Sequence, residues 1–243
     1  MLDDLQKVPN LTPGKFVAKR FPNEELHIKL ETKIKNKPCL ILGSIVPPEA
    51  NLFSFLLLAH TLKKENAQQI ITLLPYLAYS RHDKQEPQKS YATALIGNLL
   101  QTSGIAEVIT VDVHNPQTKR LFPIPLISLS PAQIFAEKIK KLQLQNVTLV
   151  APDEGAILRT QAVAKKLNYQ DKITFMIKTR TETGLTHSEI HGKISKQVII
   201  IDDMLDTGTT LISCCKKLKE NGAEEIYIIV THGLFTGDNW QKL

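Results

Sequence analysis

The sequence predicts an α/β protein built of two doubly wound domains with parallel sheets, and three features carry that expectation. Strand and helix signals alternate along most of the chain. Residues Val198-Ile199-Ile200-Ile201 form an unbroken β-branched run, the pattern of a strand buried on both faces of a parallel sheet. Finally, Val108-Ile109-Thr110-Val111-Asp112-Val113-His114 weakly echoes Val198-Ile199-Ile200-Ile201-Asp202-Asp203, each an apolar strand that ends in groups able to meet a metal.

Taken in order, Pro38 to Ile45 and Gln69 to Leu74 read as strands flanking an apolar helix near Leu52 to Lys63. Val108 to Val113 then follows a helix near Ala92 to Thr102. A turn-rich stretch with Pro116, Pro123, Pro125 and Pro131 breaks the rhythm and places a domain boundary between residues 1–130 and 131–243. The second half resumes with a helix from Ala132, a strand at Val147 to Ala151, a helix near Ala156 to Lys166 and a strand at Ile173 to Ile177. Thr181 to Lys196 is polar and suits a mobile hairpin over a site better than a core element.

With 243 residues, 42% of them hydrophobic and 22% charged, the chain is long enough for two cores and unlike a disordered or fibrous one. Its net charge of +6 suits anionic small substrates as well as nucleic acid, but the lysines are scattered without interleaved aromatics, so no nucleic-acid partner is expected. Cys39, Cys214 and Cys215 form an odd set with two adjacent members, which fits reduced thiols in a cytoplasm. The longest strongly apolar stretch, Leu52 to Ala59, is far too short to span a bilayer, and no export signal opens the chain; no membrane association is expected.

The chemistry concentrates in residues 198–210. Sheets of this kind bind ligands beyond the carboxyl ends of their strands, where Asp202 and Asp203 fall. Past them, Gly208 permits a tight turn, Thr207, Thr209 and Thr210 offer hydroxyls, and the amides of a new helix point forward, together a cup for phosphate. Two carboxylates repel a bare phosphate but accept hydrogen bonds from vicinal sugar hydroxyls and help hold Mg²⁺, so the implied ligand is a phosphorylated pentose. The competing reading makes the aspartates ordinary strand-end residues and Thr207 a helix cap. In the first half, Pro75 to Lys84 brings Tyr76, Tyr79, Arg81 and His82 after a strand end, a set that can stack a base and clamp a polyphosphate or be a plain surface loop. His114 can ligate a metal, bond a nucleotide phosphate or serve structure alone.

Set beside these, the spacing of Asp202 to Thr210 resembles the loop shared by type I phosphoribosyltransferases and phosphoribosyl-pyrophosphate synthetases. Arg20-Phe21-Pro22-Asn23-Glu24-Glu25, the Tyr-x-Arg-x-Asp segment at Tyr79, the Thr-Val-Asp-x-His strand, Ala151-Pro152-Asp153-Glu154-Gly155-Ala156 and Lys178-Thr179-Arg180 resemble synthetase elements in the same order, the wording of the Pro152–Ala156 and Lys178–Arg180 elements being most similar to archaeal types. The resemblance implies an ATP-binding domain at residues 1–130 and a ribose-5-phosphate-binding domain at 131–243. It implies a Mg²⁺-dependent enzyme that moves the diphosphoryl group of ATP to the 1-hydroxyl of ribose 5-phosphate. In that scheme Phe21, Asn23 and Glu25 hold adenine across a subunit interface of a homo-oligomer, a dimer or higher. Arg81, His82 and His114 meet the ATP phosphates; His114 and Asp153 serve metal ions. Asp202, Asp203, Asp206, Thr207, Gly208, Thr209 and Thr210 hold ribose 5-phosphate, and Lys178, Arg180 and His114 are catalytic.

Departures from the family pattern qualify the scheme. Asn23-Glu24 stands where the family has Asp-Gly, His82 replaces the usual Gln, Thr209 stands where many members have Gly, and Gln85 to Ser90 matches no assignable pattern. Two other readings therefore accompany the synthetase: a catalytically weak regulatory homologue, and a phosphoribosyltransferase that consumes the activated sugar.

Overall fold

The computed structural model describes residues 7–180 and 186–243, leaving aside the side chains of 178–180 and 186–188. The chain divides into two units, Met1–Ser128 and Leu129–Leu243. The first begins with an antiparallel hairpin of β1 (Phe16–Arg20) and β2 (Leu26–Leu30), which the sequence reading had not marked as strands. A four-stranded sheet follows in the order β3 (Pro38–Leu42), β4 (Gln69–Leu74), β5 (Glu107–Val111) and β6 (Leu126–Leu129), with β3, β4 and β5 parallel. Helices α1 (Glu49–Lys64) and α2 (Ala92–Thr102) supply Phe55, Ala59, Leu62, Ile96 and Leu100 to a core with Ile41, Ile70, Leu74 and Val108. Each fully buried aliphatic side chain there contributes about 1.5–3 kcal/mol of transfer free energy.

Strand β5 ends at Val111, not at Val113 as the apolar pattern suggested. Asp112 has φ +50°, a left-handed conformation that cannot continue an extended strand, and it turns the chain toward His114. Strand β6 was hidden by the prolines around it.

The second unit holds α3 (Ala132–Lys141), β7 (Val147–Ala151), α4 (Ile157–Leu167), β8 (Thr174–Arg180), β9 (Thr186–His191), β10 (Gln197–Leu205), α5 (Thr209–Glu220) and β11 (Glu225–Gly233). Its five-stranded sheet has the order β11-β10-β7-β8-β9. The Val-Ile-Ile-Ile run explains itself here. Val198 and Ile200 pack with Leu211, Cys214 and Leu218 of α5, while Ile199 and Ile201 pack with Ala132, Phe135 and Ile139 of α3 and Val163 of α4. Alternate side chains serve opposite faces, so both parities must be apolar.

The sheet is not wholly parallel, because β9 runs antiparallel to β8 with Phe175 opposite His191 and Arg180 opposite Thr186. A connection this short cannot make the crossover that parallel neighbours need. The polar stretch thus contains a hairpin arm, although residues 181–185, which join its strands, lie outside the described residues.

Candidate active site

Strand order positions the acids. From β7 the chain passes to β8 on one side, while β10 lies on the other, so the connections leaving β7 and β10 diverge and open a crevice at the carboxyl ends of adjacent strands. Asp153 follows β7 directly, and Asp202 and Asp203 occupy the last part of β10, which runs on to Leu205. Asp153 caps the short turn Glu154–Ala156, its Oδ1 accepting from the Ala156 amide at 3.2 Å. Asp202 and Asp203 are only 8% and 4% exposed.

Burial raises the cost of ionising Asp202, and the neighbouring charges of Asp203 and then Asp153 raise it further, pushing its pKa up to about 8. The Asp203 amide donates to Asp202 Oδ1 at 2.9 Å and opposes that rise without cancelling it. Arg159 on α4 approaches the same oxygen at 3.9 Å, the outer limit of an ion pair. Sequence reasoning missed Arg159; its signal was an arginine in the first turn of the helix that follows Asp153.

This cluster of buried acids, costly to ionise alone, fits a cation that would favour their charged forms. Among the described residues, however, no three of His, Cys, Asp and Glu converge as a metal cage. The acids suit an ion such as Mg²⁺ that keeps much of its shell as water and substrate oxygen.

Beyond Leu205 the chain turns through Asp206 and Thr207 to Gly208, whose φ of +82° suits glycine, and α5 begins at Thr209. Gly208 occupies the N-cap position, so the cap is not Thr207 and no side chain of the cap residue covers the helix amides. Thr207 and Thr209 are exposed, with their hydroxyls 3.1 Å apart. The loop therefore joins two hydroxyls and a helix N-terminus, the makings of an anion site.

In the first unit the loops after neighbouring strands β4 and β5 are tied together. Asn115 Nδ2 donates to Asp83 Oδ2 at 2.6 Å, and Asn115 Oδ1 accepts from the Gln117 amide at 3.0 Å. The Tyr79 carbonyl accepts from Thr93 Oγ1 at 2.7 Å and from the His82 amide at 3.1 Å, holding the loop to the start of α2. Ser90 Oγ lies 3.5 Å from His82 Nδ1, which gives the otherwise unmatched loop a contact with this cluster. Arg81, His82 and His114 are thus gathered at one end of one sheet, all three exposed.

Phe21, Asn23 and Glu25 meet at the tip of the β1–β2 hairpin. The Phe21 amide donates to the Glu25 carbonyl at 2.9 Å, Asn23 Oδ1 accepts from the Glu25 amide at 3.3 Å, and the Phe21 ring is 52% exposed beside His27. Lys178 and Arg180 lie in the last part of β8 as backbone, opposite Ser188 and Thr186 of β9; their side chains lie outside the described residues.

A mostly parallel sheet whose buried acid pair runs into a glycine-bearing loop at a helix N-terminus is the architecture of the type I phosphoribosyltransferase class. A family model for the phosphoribosyl transferase domain matches residues 117–239, and one for the N-terminal domain of ribose phosphate pyrophosphokinase matches residues 2–104. The chain belongs to the ribose-phosphate pyrophosphokinase family. It is 32% identical over 244 residues to the ribose-phosphate pyrophosphokinase of Bacillus caldolyticus, covering 99% of this chain and 77% of that one. Against ribose-phosphate pyrophosphokinase A of Dictyostelium discoideum it is 32% identical, with 99% and 76% covered. The crystal structure of phosphoribosylpyrophosphate synthetase from Mycobacterium smegmatis matches with TM-score 0.88 at 25% identity, over 99% of this chain and 80% of that one.

Proposed function

We propose that the protein transfers the diphosphoryl group of ATP to the 1-hydroxyl of ribose 5-phosphate, giving phosphoribosyl pyrophosphate and AMP. The observation that carries this reading is the buried Asp202-Asp203 pair leading directly into the Gly208 loop, joined in one chain to an N-terminal unit of the pyrophosphokinase type. The same N-terminal match disfavours a phosphoribosyltransferase that only consumes the activated sugar.

Ribose 5-phosphate seats its phosphate against the Thr207 to Thr210 loop, and the carboxylates of Asp202 and Asp203 accept from its ring hydroxyls. This orientation presents the 1-hydroxyl for attack. ATP is held by Arg81, His82 and His114, with adenine on Phe21, Asn23 and Glu25 from another copy of the chain in a homo-oligomer. The 1-hydroxyl oxygen attacks the β-phosphorus in line with departing AMP; one P–O bond forms as the bond to the AMP oxygen breaks, and the hydroxyl proton passes to water. Negative charge grows on the nonbridging and leaving oxygens, and Lys178 and Arg180 stabilise it. Asp153, Asp202 and Asp203 would hold one largely hydrated Mg²⁺ at the ribose and His114 another at the ATP phosphates, where the ions would offset phosphate charge.

The test is direct. Pure protein with Mg²⁺, ATP and ribose 5-phosphate should form AMP and phosphoribosyl pyrophosphate in equal amounts. No AMP at high enzyme concentration, with both substrates still bound, points instead to a catalytically weak regulatory homologue.

A further inference from the structure

The segment after β11 folds back along the sugar-phosphate loop in a way the proposed reaction leaves unexplained. The Leu205 carbonyl accepts from the Leu234 amide at 2.8 Å and the Phe235 amide at 3.1 Å, and the Asp206 carbonyl accepts from the Thr236 amide at 3.2 Å. The Thr207 carbonyl accepts from Asn239 Nδ2 at 3.2 Å. Three consecutive carbonyls are thus held by one neighbouring segment. In a trans peptide the N–H points opposite its C=O, so these bonds turn the amides of residues 206, 207 and 208 away from that segment. Successive amides aimed to one side form an anion nest.

The contact is close. A Cβ added at Gly208 would lie 2.8 Å from Trp240 Cα, so the loop touches backbone there and has room only for glycine. The Trp240 ring is held against Phe235, with centroids 4.9 Å apart in an edge-on arrangement, and Phe235 itself sits at φ +53°. The turn Asn239–Lys242 is therefore anchored to the loop and packed by its own aromatic pair.

We infer that residues 234–240 are a brace that sets the peptide orientation of the phosphate cup, with Asn239 as a positioning residue and Trp240 as the wall behind Gly208. This rests on the sugar-phosphate reading and adds to it residues beyond the loop. A released Thr207 carbonyl can rotate and set a partial negative charge toward the bound phosphate. The loss falls on ribose 5-phosphate and spares ATP, which is held by other residues.

The experiment compares the full-length wild type with Asn239→Ala. The substitution should raise KM for ribose 5-phosphate about 2- to 12-fold, the equivalent of one net hydrogen bond, lower the melting temperature by no more than a few degrees and leave KM for ATP unchanged. An unchanged KM for ribose 5-phosphate, or an equal rise in both KM values with a lowered melting temperature, overturns the inference. Should Asn239→Ala fail to fold, Asn239→Leu, similar in size and uncharged, also lacks the donor and should show the same selective rise; its absence counts against the brace equally. Calorimetry on the wild type separates the two levels: no binding of ribose 5-phosphate sinks the sugar-phosphate reading and the brace with it, whereas binding that Asn239→Ala fully retains sinks the brace alone.

Discussion

Two residues show how local conformation and burial set local cost. Glu24 occupies the hairpin tip at φ +67°, where the family pattern has Gly, and its carbonyl accepts from Arg20 Nη1. A left-handed conformation costs an L-residue about 1–2 kcal/mol, part of which glycine returns as unfolded-chain entropy. Glu24→Gly is therefore expected to stabilise the chain by about 0.5–1 kcal/mol, read from urea unfolding. The backbone bond from Arg20 survives that change. At Asp202 the cost is electrostatic. The folded chain holds this proton up to about pH 8, while the unfolded chain releases it near its ordinary value of about 4. Between these values unfolding releases a proton, so stability without a cation falls as pH rises through the window. Asp202→Asn should flatten that decline and melt above the wild type at pH 8, as calorimetry at pH 5 and 8 would register, with activity lost. A wild type whose melting temperature holds constant from pH 5 to 8 contradicts the assignment.

Among the elements, the β8–β9 hairpin stands apart from the rest of its sheet. It lies at one edge, pairs antiparallel, and carries Lys178 and Arg180 in backbone register with Ser188 and Thr186. Cations that act on charge developing in the transition state lower the barrier without tightening ground-state binding. Lys178→Ala and Arg180→Ala should each lower kcat about 10²-fold or more with KM little changed. Variants with near-wild-type kcat in steady-state assays would remove the hairpin from the chemistry. The elements also explain what pattern reading found and missed. Strands β4 and β7 and helix α2 were legible to the residue, because each carries its own periodicity between clear breaks. The β1–β2 hairpin was not, since Phe16–Arg20 is mostly exposed and offers no buried face to read. Strand β6 and the true end of β5 were lost for a related reason, one masked by prolines and the other set by a single φ at Asp112.

For the whole molecule, the amino-acid pattern alone determined the α/β class, the Asp202 to Thr210 loop and the family resemblance, because these reside in contiguous residues whose chemistry is local. The tertiary structure decided what depends on residues distant in the chain. It placed β7 beside β10, bringing Asp153 and Arg159 to the acid pair and making Asp202 costly to ionise. It joined Asp83 to Asn115 and laid Asn239 and Trp240 against the Thr207–Gly208 turn. Periodicity records which face of an element is buried, but strand order and the return of a distant segment arise only when separate elements pack, and one-dimensional spacing carries no trace of them.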